Sequence, residues 1–376
     1  MLICGLPSSS EAEGFDRTHL GMPQQMVELI EAVALVARQL VVVLLNGSPV
    51  AMPWVGRVPA VLAMGLGGQA MGGALADLAF GTACPCGKLA ETLPNSLDGA
   101  EHAHFACHPR QVVYREGVNV GYRQYRDDEH LGASTSAPSR WLFPFGHGLT
   151  YTTFEYSDLW LSTTRLDSLD NLQLCCTLRN SGPVSGAEVV QIYVRPLGSS
   201  VHRPDRELRA FAKRHLAPSE HASLTFTLPP RAFSYYDTRA SDWYAEPGEY
   251  EVLVGASCVD IRLRARLTLT GPIRSEVGGA AVGAGYRTLD DAMLAKLGLE
   301  VPPAEEPRPY SENTTWGELG QSGWLGWLVF SIAVWAARRE AYKNAAPKPG
   351  ADPLATAALG DAATMARTSE ELGLGY

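Results

Sequence analysis

From about Tyr151 to Thr270 the chain alternates apolar and polar residues with a period of two. Leu172, Leu174, Cys176 and Leu178 share one face, as do Val190, Ile192 and Val194. Leu224, Phe226 and Leu228 repeat the pattern, followed by Tyr250, Val252 and Val254. It is plainest at Ile261, Leu263, Ala265, Leu267 and Leu269, interleaved with Arg262, Arg264, Arg266 and Thr268. Successive side chains of a strand point to opposite faces, so each run predicts a strand with one dry and one wet face. Strands of this kind, separated by turns, predict an antiparallel β-sandwich.

Upstream the period changes. Met26, Leu29, Ile30, Val33 and Ala37 recur at helical spacing behind Pro23, a residue suited to a first helical turn. Leu40 to Leu45 is a continuous apolar run ending at Asn46-Gly47, the signature of a strand buried on both faces. A second short strand, Pro59 to Met64, leads through glycines into a helix from about Gln69 to Phe80. This alternation predicts α/β architecture with a parallel sheet.

The expected division is therefore an α/β domain over 1–95, a linker over 96–150, the β-sandwich over 151–271, and a glycine-rich linker with a helical C-terminal region over 272–376. In that last region helices are expected at about Leu289 to Leu297, over Gly323 to Ala337, and near the end after a loop starting at Asn344. The Gly323–Ala337 run is apolar, rich in tryptophan and followed by Arg338 and Arg339. At 15 residues it is shorter than the roughly 20 that a spanning helix needs. It reads as a helix buried against the domain, and no membrane partner is expected.

Composition narrows the choice. The 376 residues suffice for two or three domains with cores of their own. With 46% hydrophobic and 19% charged residues, wholesale disorder is excluded. A formal net charge of −9 argues against a nucleic-acid partner, which a basic patch would mark. Seven irregularly spaced cysteines make no disulfide framework. Cys84-Pro85-Cys86 has no second pair to complete a zinc site, and His102, His104 and His108 near Cys107 read as an ordinary polar loop rather than a metal cluster. Met1 to Ser10 lacks the basic flank and apolar core of a signal peptide. The sequence leaves the compartment open between the cytoplasm and, if residues precede this start, the exterior. The sequon Asn313-Thr314-Thr315 matters only in the second case.

Two motifs are candidates for chemistry. Gly65-Leu66-Gly67-Gly68 follows a strand and opens a helix, as a dinucleotide fingerprint would. No ribose-binding acid follows about 20 residues on, where Cys84-Pro85-Cys86-Gly87 stands, so a tight turn is the better reading. The second motif, Glu11-Ala12-Glu13-Gly14-Phe15-Asp16-Arg17, gathers four charges just after a short apolar segment. Loops leaving the C-terminal ends of parallel strands bind ligands, and a carboxylic acid there could act as a general acid. Spacing alone favours a solvated loop in which Asp16 and Arg17 pair.

The order of longer motifs changes that weighting. EAEGFDR, LGMPQQMVELIEAV, VVVLLNGSPVAMPW, PAVLAMGLGGQAMGGALADLAFG, CPCGKLAETLP, YREGVNVGYRQY and FPFGHGLTYTTFEYS follow one another, and NSGPVSGAEVVQIYV, RPDRELRAFAKRHL and WYAEPGEYEVLVGAS complete the series. From about Leu2 to Leu269 the chain resembles the C-terminal half of glycoside hydrolase family 3, the β-glucosidase type. The departures are Cys84 and Cys86 in place of the usual Asn and Ser, and the sequence Tyr122-Arg123-Gln124-Tyr125 in the aromatic stretch.

The resemblance implies a partial α/β sandwich domain followed by a fibronectin type III-like β-sandwich, in a retaining β-glycosidase. It implies Glu13 as general acid/base, with Glu11 the second choice, and Asp16 and Arg17 ordering the substrate loop. A β-glucoside or oligosaccharide is the implied substrate, with no cofactor or metal. The nucleophilic aspartate would come from a (β/α)-barrel domain or chain, since this sequence has no room for eight βα units, which take about 200 residues or more. The competing expectation is a non-catalytic carbohydrate-binding or scaffolding remnant.

Overall fold

The computed structural model describes residues 1–7, 10, 11, 17, 19–95, 113–124, 141–238, 240–272, 289–301, 319, 320 and 323–345. They form two compact units. One holds the described residues up to Gly68 and those after Pro302, and the other holds those from Gln69 to Val301.

In the first unit, β1 (Leu2–Gly5), α1 (Gln24–Val36), β2 (Val41–Leu45) and β3 (Ala60–Ala63) follow one another, and the strands form a parallel sheet in the order β1-β2-β3. The apolar run takes the central position. Val42 and Val43 are fully buried and Leu44 nearly so, which a central strand requires because both of its faces are covered. α1 begins directly after Pro23 and buries Ile30 completely. Its outward positions Leu29, Leu35 and Val36 are exposed, and β1 and β3 are the two edges of the described sheet. Gly65 and Gly68 both take left-handed backbone angles, as the tight-turn reading requires.

The second unit opens with α2 (Met71–Ala79) and the short strands β4 (Leu93–Pro94) and β5 (Trp141–Phe143), which pair. The sandwich follows: β6 (Phe154–Leu161), β7 (Arg165–Asp167), β8 (Leu172–Asn180), β9 (Gly186–Pro196), β10 (Glu207–Leu216) and β11 (His221–Leu228), then the hairpin β12 (Tyr235–Asp237) and β13 (Asp242–Tyr244), then β14 (Gly248–Gly255) and β15 (Ile261–Thr270). One sheet has the order β10-β9-β14-β15-β7 and the other β11-β8-β6. Of the residues assigned to the dry faces, Leu172, Leu174, Cys176, Leu178, Val190, Ile192, Val252 and Val254 are completely buried in one core, whereas Ile261, beyond a break in register at Val254/Gly255, packs with Tyr193 and Leu253 instead. Arg262, Arg264 and Arg266 stay exposed on the other face of β15.

The five-stranded sheet is covered on its outer face too. Tyr193, Leu253 and Cys258 form a second small core there, with Tyr122, Phe145 and Leu208 against them. Tyr122 stacks on Phe145 with centroids 4.6 Å apart, and its hydroxyl accepts a hydrogen bond from the Leu208 amide at 2.8 Å. The described parts of 113–148 thus lie on the sandwich.

Beyond it, α3 (Asp291–Lys296) is capped by Asp290, whose side chain accepts from the Met293 amide. α4 (Trp324–Ala345) contains the tryptophan-rich run and corrects the expectation of a buried helix. Trp324 is 78% exposed, Trp327 61% and Trp335 60%. An apolar surface that runs round the whole circumference needs neighbours on every side to be buried, and Trp324, Trp327, Ile332 and Trp335 have no such cover among the described residues. Among the described residues no helix is long and apolar enough to cross a membrane. The His102–His108 cluster lies outside the described residues.

Candidate functional site

The parallel sheet delivers two loops to its C-terminal edge. One leaves β1 and reaches Glu11; the other, Asn46 to Pro49, leaves the neighbouring β2. Glu11 crosses between them. Its carboxylate accepts the Gly47 amide on both oxygens at 2.9 Å, and Oε1 also accepts the Ser48 hydroxyl at 2.8 Å. The amide of Glu11 itself donates to the Pro7 carbonyl, which turns the chain out of the strand.

Arg17 meets the same turn from the other end of the motif. Its Nη1 donates to Ser48 Oγ and to the Pro49 carbonyl, both at 3.0 Å, and Nη2 donates to the Gly21 carbonyl at 3.3 Å. The Ser48 hydroxyl therefore receives a hydrogen bond from a guanidinium and gives one to a carboxylate. Each bond is strengthened by a full charge at one end. Burial lowers the pKa of Arg17, and the nearby Glu11 carboxylate opposes that shift. Asn46 closes the turn by donating to the Ser48 carbonyl at 2.7 Å, and the Ala51 amide ties the next residues to Leu20.

Gly47 is closely approached. A Cβ there would stand 2.9 Å from a Leu66 methyl and 3.1 Å from Glu11 Oε1.

Of the residues singled out in the sequence, Glu11 and Arg17 are thus brought to one turn; Glu13 and Asp16 lie outside the described residues. The sequence pattern did not single out Gly47 and Ser48. Their signal was present, since Asn-Gly-Ser-Pro stands directly after a buried parallel strand, where ligand loops originate.

Two other motifs serve as scaffold for one another within the second unit. Leu89 N–H donates to the His147 carbonyl and Gly146 N–H to that of Leu89, both at 2.8 Å. Lys88 Nζ donates to the Gly148 carbonyl at 2.9 Å and pairs with Glu188 of β9 at 2.9 Å. Cys84 Sγ lies 2.9 Å from the Thr150 hydroxyl, and Gln191 donates to the carbonyls of Gly146 and Ala256. Gly146 has a left-handed φ of 81°, and a Cβ there would come within 2.3 Å of the Gln191 side chain. The stretches CPCGKL and FPFGHGLTYT are held by structural need. His147, stacked on Phe143, has its pKa lowered by burial and by the positive charge of Lys88. Among the described residues no three His, Cys, Asp or Glu side chains are grouped to hold a metal ion.

Residues 1–151 match the glycosyl hydrolase family 3 C-terminal domain, and residues 188–258 a fibronectin type III-like domain. Thermostable β-glucosidase B of Acetivibrio thermocellus is 46% identical over 277 residues, covering 73% of this chain and 35% of that protein. An exo-α-(1→6)-L-arabinopyranosidase of Bifidobacterium breve is 37% identical over 273 residues, covering 72% of this chain and 34% of that protein. Among solved structures, the GH3 β-glucosidase of Bifidobacterium adolescentis superposes with a TM-score of 0.64 at 39% identity, covering 73% of this chain and 40% of the other. The chain thus spans about a third of the length of these two curated relatives.

Proposed function

The chain carries the C-terminal domain of glycosyl hydrolase family 3 joined to a fibronectin type III-like domain, and from that premise we propose that it is the acid/base-bearing part of a β-glucosidase-type retaining glycosidase. Glu13 is the general acid/base in this reading. The nucleophilic carboxylate comes from a (β/α)-barrel, whether a domain or a separate chain. The supporting observation is the position of the EAEGFDR segment. Both residues described at its ends, Glu11 and Arg17, are tied to the loop that leaves β2 at the C-terminal edge of a parallel sheet. That edge is where such sheets bind ligands.

The chemistry follows from the two carboxyl groups. In a retaining enzyme they stand about 5–5.5 Å apart, one attacking the anomeric carbon while the other protonates the departing oxygen. The protonated Glu13 gives its proton to the leaving group as the carbon–oxygen bond breaks, and a covalent glycosyl-enzyme forms. The resulting carboxylate then takes a proton from water, which displaces the nucleophile. The substrate proposed is a β-glucoside. The arabinopyranosidase among the relatives shows that the sugar accepted by such proteins varies.

The leaving group provides the test. Substituting Glu13→Gln removes the proton donor, so with a barrel supplied the hydrolysis of an alkyl or unactivated aryl β-glucoside should fall by about 10²–10⁴-fold. A dinitrophenyl glucoside, whose leaving group needs no proton, should lose far less in the glycosylation step. Equal losses on both substrates would count against Glu13 as the acid. A chain that binds oligosaccharide but never hydrolyses it, even with a barrel supplied, would favour the non-catalytic remnant.

A further inference from the structure

We infer that Glu11 is a positioning residue and not the proton donor: with Arg17 it closes a clasp on the Asn46–Pro49 turn that fixes both ends of the segment carrying Glu13. The inference rests on the functional reading above for the role of Glu13, and on the described residues for the clasp.

Three observations carry it. First, Glu11 is already committed: two contacts from the Gly47 amide and one from the Ser48 hydroxyl occupy its oxygens at 2.8–2.9 Å. Two donors, one of them shared by both oxygens, thus hold that carboxylate against the turn instead of leaving it aimed at a sugar. Second, Arg17 and Glu11 meet through one atom, since Ser48 Oγ accepts from Arg17 and donates to Glu11. The result is an ion pair bridged by a hydroxyl. Third, the turn is shaped to receive the carboxylate, because any side chain at Gly47 would enter its space.

Five residues, 12–16, separate the two ends of the clasp. Tying Glu11 and Arg17 to one turn charges the ordering of those two residues to folding and not to substrate binding. An acid must sit within hydrogen-bond reach of the departing oxygen, and an error of about 1 Å costs on the order of a hundredfold in rate. The clasp therefore acts on the reaction through Glu13.

Labelling the chain with ¹³C at the glutamate carboxyl carbons tests this. The Glu11 and Glu13 signals are identified by their loss in Glu11→Gln and Glu13→Gln. Ser48→Ala removes the shared hydroxyl and leaves both carboxylates in place. It should shift the Glu13 signal and speed Gly47 amide exchange by about tenfold or more, as expected for losing the bonds that hold that turn. Ser48→Thr, which keeps a hydroxyl, should restore both. Arg57→Gln, which breaks the exposed Arg57–Glu31 pair in the same unit, should change neither. Should Ser48→Ala fold poorly, Gly47→Ala offers a second route, since its Cβ presses on Glu11 directly. A Glu13 signal that stays put while those of Gly47 and Glu11 move would overturn the inference and reduce Glu11 to a brace for the turn. The inference would fall equally if, with a family 3 barrel domain supplied, Glu11→Gln abolished hydrolysis and Glu13→Gln spared it. Full activity in both variants would instead sink the functional reading and leave the measured coupling standing.

Discussion

Lys88 holds its place in the GKL motif through a buried ion pair, and its removal should be costly. Lys88 Nζ lies 2.9 Å from Glu188 Oε1, with side chains only 12% and 6% exposed. Lys88→Met keeps the aliphatic stem, so no cavity opens. It leaves the Glu188 carboxylate inside the protein with the Val189 amide at 2.7 Å as its remaining described donor, and takes the Nζ donor from the Gly148 carbonyl. Stranding one member of a buried pair costs about 3–5 kcal/mol. For a unit of this size each kcal/mol is worth about 2–4 °C, so Tm should drop by roughly 6–20 °C. The assay is thermal unfolding of the full chain at neutral pH, followed by circular dichroism. The double variant Lys88→Met, Glu188→Leu removes both charges, and should recover most of the loss because apolar replacement of a whole pair is often nearly neutral. A single variant within about 1 kcal/mol of the parent, or a double variant no better than the single, would refute the reasoning.

Other outcomes follow from the same structure. His147 is held below the ordinary histidine pKa of about 6.5 by burial and by Lys88, so near that pH the unfolded chain binds a proton that the folded chain refuses. Stability should therefore fall as pH drops below about 6.5. His147→Phe should flatten that part of the curve in unfolding scans between neutral and mildly acidic pH, and an unchanged slope would contradict the assignment. β1 and β3, the edges of the described sheet, with Leu29, Leu35 and Val36 exposed on α1, should make the isolated chain self-associate as concentration rises. Light scattering that shows a clean monomer at every concentration, together with one cooperative melt, would count against this.

The sandwich was legible because one face of each strand is dry and the other wet, and that alternation is local. Leu172 to Leu178 and Leu263 to Leu269 needed only their neighbours to be read correctly, while the bulge that turns Ile261 to the other face left no local mark. The central strand of the parallel sheet was legible for the opposite reason, an unbroken apolar run. The cover on the outer face of the five-stranded sheet was harder to see. Tyr122 and Phe145 sit in stretches rich in histidine and glycine, and nothing local says that they meet Tyr193 and Leu253. A clue existed in β9 and β14, where VVQIYV and EYEVLV depart from alternation because both faces are covered. The candidate site was half legible. Motif order singled out Glu11, Glu13, Asp16 and Arg17, yet the part played by Ser48 depends on two strands lying side by side, which sequence spacing does not encode. The tryptophan run of α4 misled because length and apolarity suggested burial, while burial of an all-round apolar helix depends on neighbours that its own sequence does not encode.

The central claim is that this chain brings the acid/base and a barrel brings the nucleophile. Hydrolysis of an unactivated aryl β-glucoside tests it most directly, measured for the chain alone, for a family 3 barrel domain alone, and for the two together with either parent or Glu13→Gln chain. The expected result is turnover only in the mixture with the parent chain, falling by about 10²-fold or more in the Glu13→Gln mixture. A mixture with no turnover, or one in which Glu13→Gln makes no difference, would contradict the account.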